Sequence, residues 1–216
     1  VNTPEDLWLG VARCAFGAAV VLVLQAVRTH SFGRRPPLAP AAAGARRGIL
    51  YAFGAGMAPT AKESTRTHPG VWLLGMAYHL GIFTALGVLA WVILDGGPGR
   101  APANAALSSA LLVVDTLLVA GALGGLGLLA RRAGSPVLRG LSHPDDYVAN
   151  LLTTVFIALA AVRMWSPRLE PVLLVAAMAL FCYMPVGKIR HCVFFFLSRY
   201  HLGRHYGRRG TFPLRH

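Results

Sequence analysis

The sequence predicts an all-α membrane protein with five transmembrane helices, its N-terminus outside and its C-terminus in the cytoplasm. Three observations predict it. Of the 216 residues 55% are hydrophobic and only 13% charged, with a mean hydropathy of +0.55, leaving too little polar surface to keep a soluble domain dispersed. The apolar residues gather in blocks of roughly 20, the length a helix needs to cross a bilayer, rather than in alternating or one-faced patterns. The basic residues are spread very unevenly over the connections between those blocks.

The first block, residues 7–27, follows Glu5 and Asp6 instead of a basic stretch and has no small-residue cleavage site. It reads as a retained helix rather than a signal peptide. Residues 31–48, SFGRRPPLAPAAAGARRG, are rich in Pro, Ala, Gly and Arg and read as a cytoplasmic connection. The next ten, ILYAFGAGMA (49–58), are too few to cross a membrane and read as a short interfacial helix. The second and third spans are 71–94 and 105–129, the third carrying Asp115 within its apolar run. The fourth is 147–164. The fifth, 172–197, contains Pro185 and carries Lys188 and Arg190, and residues 198–216 form a basic cytoplasmic tail. Residues 1–216 are thus expected to be a single integral membrane domain. With no repeat, P-loop or G-x-G-x-x-G, large soluble chemistry would have to come from another subunit.

The formal charge of +13 would suggest nucleic acid in a soluble protein. Here it reads as topology, and no nucleic-acid partner is expected. Arg28, Arg34, Arg35, Arg46, Arg47, Lys62 and Arg66 lie between the first two spans, and Arg131, Arg132 and Arg139 follow the third. Lys188, Arg190, Arg199, Arg204, Arg208, Arg209 and Arg215 complete 17 of the 21 basic residues on one side. Arg100, Arg163 and Arg168 share the other side with Glu5, Asp6, Asp95 and Glu170, while Arg13 lies in the first span. The basic side is the cytoplasmic one, in the inner (cytoplasmic) membrane of a cell, and it offers anionic headgroups or a protein partner a surface.

Cys14, Cys182 and Cys192 all lie in spans without a C-x-x-C spacing, so neither a disulfide framework nor a zinc site is expected. Of eight histidines, His30, His68, His143, His201, His205 and His216 lie in connections or the tail and read as solvated. His79 and His191 lie in spans, where an imidazole must find a hydrogen-bond partner or a metal. At ~1.5 Å per residue His79 is roughly 12 Å into the second span from the inner side. The same arithmetic puts His191 roughly 28 Å from the outer end of the fifth, in a core about 30 Å thick. Both fall in the inner half, as a shared iron would require. Gly75 and Gly81 leave room beside His79 for a flat macrocycle, and Lys188 and Arg190 beside His191 are cations suited to its propionates or to phospholipid headgroups.

The stretches AYHLGIF, LLARRAGSPVLRGLSHPDDYVANLL and CYMPVGKIRHCVFF resemble the membrane cytochrome b subunits of respiratory nitrate reductase (the gamma subunit) and of related sulfite-reduction-associated complexes. The resemblance covers roughly residues 71–200. Its most specific part is His79 followed by Pro185-x-x-Lys188-x-x-His191; KESTRTHPG (62–70) is similar to the sulfite-associated and heterodisulfide-reductase-like branch. The nitrate enzyme's pattern implies two haems, each held between the second and fifth spans. The inner pair of ligands maps onto His79 and His191, whereas the positions of the outer pair are Leu89 and Leu173. The resemblance therefore implies one haem b, with His79 and His191 as iron ligands and Lys188 and Arg190 near the cofactor.

It also implies electron transfer between membrane quinone, menaquinone or ubiquinone, and a cytoplasmic iron–sulfur subunit of heterodisulfide-reductase type, docked on the tail from Arg199 to Arg209. No turnover beyond quinone chemistry is expected of the chain alone. Tyr78, Lys62, Glu63, Arg66, Asp145 and Asp146 are candidates to bond a quinone or relay protons. Two other readings stay open: a non-redox anchor of a peripheral complex, and a proton-coupled transporter with His79 and Asp115 as its relay.

Overall fold

A computed structural model describes residues 4–31, 40–59, 63–95 and 105–213. Arg34, Arg35, Lys62, Arg100, Arg215 and His216 lie outside these residues. Among the described residues the regular structure is helical, with no strand. The helices are α1 (Pro4–Ser31), α2 (Ala45–Phe53), α3 (Glu63–Thr67), α4 (Pro69–Asp95), α5 (Ala105–Gly134), α6 (Pro136–Leu141), α7 (Pro144–Trp165), α8 (Glu170–Tyr183) and α9 (His191–Arg208). α1, α4, α5 and α7 are each long and apolar enough to span a bilayer; a fifth crossing results if α8 and α9, a pair bent at a short break, form one span. The chain is an all-α, multi-pass membrane protein.

The helix boundaries follow local chemistry. Pro136 and Pro144 occupy first-turn positions, where no backbone donor is needed. Ser135 Oγ accepts from the Leu138 N–H at 3.4 Å ahead of α6. His143, expected to be a solvated loop residue, caps α7: its Nδ1 accepts from the Asp145 N–H at 3.3 Å, while its own N–H donates to Asp146 Oδ2 at 2.9 Å.

The fifth span departs from expectation. α8 ends at Tyr183, Met184–Gly187 turn, Lys188–Arg190 make one 3₁₀ turn, and α9 starts at His191. Pro185 has no N–H to continue the ladder, and the Gly187 N–H turns back to the Tyr183 carbonyl at 2.9 Å. Fourteen residues of α8 rise only about 21 Å, short of a bilayer core. The straight-helix depth inferred for His191 is therefore corrected: the fifth segment is a broken pair, not the continuous helix 172–197. Residues 198–208 of the basic tail are helical, as the end of α9.

The chain forms two compact units. The first comprises the beginning of α1, up to Ala18, and Gly70–Lys188. Its core is built from Val11, Ala85, Val88, Leu89, Val92, Leu118, Phe156, Ile157, Leu173, Leu174 and Leu180. Phe16, Phe83, Leu112, Leu123 and Val155 instead point outward. Large apolar side chains on the outside are what hydrocarbon solvation permits and water does not. The second unit comprises the rest of α1, with Ala19–Pro69 and Ile189–His216. In it α2 lies against α9 so closely that a Cβ on Gly48 would strike the backbone of Gly203 and Gly207. The short helix expected at 49–58 is α2, starting four residues earlier, followed by a 3₁₀ turn at Ala55–Met57.

Candidate functional site

His79 is in α4 within the first unit, and His191 is the first residue of α9 in the second. His79 Nδ1 lies 2.7 Å from the Gly75 carbonyl one turn earlier. A carbonyl only accepts, so Nδ1 carries the proton in this contact. Carbonyl-anchored Nδ1–H is the arrangement that orients a histidine for metal ligation through Nε2. The ring is exposed, with Tyr78 edge-on at 6.1 Å.

The two glycines expected to make room beside His79 differ. Gly75, on the His79 face of α4, has no atom within 4 Å of where a Cβ would stand. Gly81 faces away, and a Cβ there would lie 2.6 Å from the Gly121 Cα of α5. Its space is filled by helix packing. Gly124 and Gly125 continue this contact against Leu74 and Tyr78, so α4 and α5 run antiparallel with backbones nearly touching.

These contacts locate His79 in depth. It is ten residues from the start of α4, about 15 Å, and Tyr78 reaches the Asn150 carbonyl at 3.1 Å, six residues from the start of α7. His79 therefore lies nearer the end that carries Arg132, Asp146 and Lys188. At that end Lys188 Nζ pairs with Asp146 Oδ1 at 2.6 Å, and Arg132 stands 3.6 Å from the same oxygen. Tyr183 donates to the carboxylate of Asp145. The Tyr78 hydroxyl, Asp145 and Asp146, considered from sequence as quinone or proton ligands, are thus engaged in holding α4, α7 and α8 together. Glu63 and Arg66 belong to the exposed α3 of the second unit, and Arg190 is exposed.

Leu89 and Leu173 are buried at 3% and 0% exposure, packed in the first unit's core. Asp115 accepts from the Trp165 indole N–H at 3.0 Å. Trp165 ends α7, so Asp115 is level with that end of α7. The α4–α5 register places Asp115 seven to nine residues from the level of His79, roughly 10–14 Å. That separation is too long for a direct hydrogen bond between the two side chains.

Two pairings escaped sequence reasoning. In the second unit the His30 and His201 rings lie 5.3 Å apart. In the first, Cys182 Sγ lies 3.6 Å from Cys14 Sγ. Neither has a signal in spacing, since each joins distant segments. Among the described residues no group of three or more His, Cys, Asp or Glu could hold a metal ion; a bis-histidine haem needs only two protein ligands. Compared with protein families, curated proteins and solved structures, the chain matches none.

Proposed function

We propose that this chain is the haem b-carrying membrane subunit of a respiratory oxidoreductase complex, passing electrons between bilayer quinone and a cytoplasmic iron–sulfur subunit of heterodisulfide-reductase type. The observation that carries the reading is His79: an imidazole on an apolar helix, its Nδ1 tied to the Gly75 carbonyl and open space beside Gly75 on the same face. That donor chemistry fits an axial haem ligand. His79 and His191 would hold the iron, and the haem would supply one-electron transfer. Arg190 offers a cation to propionates. Lys188 already has Asp146 as partner and would have to exchange it to do the same. The second unit supplies the docking surface, because Arg46, Arg47, Arg204 and Arg209 are exposed on it while Glu63 is its one described acidic residue.

The test is a dithionite-reduced minus air-oxidised spectrum of the purified protein, with haem quantified per chain. One haem b per chain, lost in both His79→Leu and His191→Leu, is expected. A colourless, folded wild-type protein would overturn the reading and leave a non-redox membrane anchor in its place. Two haems per chain would overturn the single-haem assignment.

A further inference from the structure

Cys14 and Cys182 are 168 residues apart in sequence, yet the Cys182 thiol donates to Cys14 Sγ at 3.6 Å. A second contact shows that this meeting is built into the packing. One turn before each cysteine, a Cβ on Gly10 would stand 2.8 Å from Met178 Sδ. Residues 10 and 14 of α1 thus face 178 and 182 of α8 in parallel register, and the lack of a side chain at Gly10 lets the helices come close enough for the thiols to touch. The third cysteine, Cys192, belongs to the other unit.

The surroundings specify what can react there. Cys182 is exposed on α8, twelve residues or about 18 Å from Glu170, and Cys14 lies ten residues into α1, with Phe16 outward beside it. Both cysteines lie on apolar helices, where a lipid-soluble oxidant can reach them. Forming a bond of about 2.05 Å requires the two sulfurs, 3.6 Å apart, to approach by about 1.5 Å.

We propose that Cys14 and Cys182 form a dithiol–disulfide couple that a bilayer quinone oxidises. One S–S bond forms, both S–H bonds break, and the two electrons and two protons reduce the quinone to quinol: dithiol plus quinone gives disulfide plus quinol. The step uses neither His79 nor His191 and stands apart from the haem reading.

The full-length protein is reduced in nanodiscs, freed of reductant and incubated anaerobically with decylubiquinone, whose fully substituted ring resists thiol addition. PEG-maleimide then counts thiols after denaturation, and absorbance counts quinol. Expected are three labels per chain before and one after, with no chain-to-chain dimer and one quinol per chain more than Cys14→Ser yields. Cys192→Ser still loses two labels, whereas Cys14→Ser and Cys182→Ser lose none. Three labels remaining on the wild type after quinone would overturn the proposal. So would oxidation into dimers, or a quinol yield from Cys14→Ser equal to that of the wild type.

Discussion

Arg163 is 1% exposed, and its guanidinium donates to Glu170 Oε2 from Nη2 at 2.7 Å and from Nε at 3.1 Å. The other Glu170 oxygen accepts from the Trp8 indole at 3.1 Å, so one carboxylate joins α1, α7 and α8. In the sequence Arg163 reads only as one of the few charges on the poorer side. What cannot be read there is that the turn at Ser166 folds Glu170 back onto it. Removing one partner of a buried pair leaves a charge with no compensation, at a cost of about 3–5 kcal/mol. Arg163→Met should therefore lower the unfolding midpoint of the solubilised protein sharply, as should Glu170→Gln to a smaller extent. The double variant should regain part of the Arg163→Met loss; equal, additive losses would show that the two residues act independently.

At the scale of elements, four glycines set the α4–α5 distance, while Gly75 on the same α4 faces open space. Composition cannot distinguish these roles, because the rotation of a helix about its axis decides which glycines meet a neighbour. A Cβ with branches at Gly121 has nowhere to go except into the Gly81 backbone, an overpacking cost of about 1–3 kcal/mol or more. Gly121→Val is expected to lower the yield of monodisperse protein, and Gly75→Ala to leave it unchanged. Gly75→Phe should leave a folded protein with reduced haem content, measured as haem per chain. Unaltered haem content in Gly75→Phe would place the cofactor elsewhere. The break at Met184–Gly187 belongs to the same scale. Pro185 was visible in the sequence, but a proline inside an apolar run also occurs in kinked spans that continue, so its presence did not show that α8 would stop.

For the whole molecule, charge bias sets an orientation that reporter fusions can test. Alkaline phosphatase fused after Ser142 should be inactive, because the Arg131, Arg132 and Arg139 connection is expected in the cytoplasm, and fused after Ser166 it should be active. The opposite pattern would invert the topology and move the proposed iron–sulfur partner to the other face. The sequence by itself determined the all-α membrane class and the approximate positions of the spanning segments. Span length and hydrophobicity are local properties, added residue by residue along one helix. Tertiary structure alone decided that Arg163 is enclosed by Glu170, that Lys188 is matched to Asp146, that Asp115 is level with Trp165, and that Cys14 meets Cys182. Each of those outcomes depends on how one helix is rotated and shifted against another, a quantity carried by packing between segments and by no single stretch of the chain.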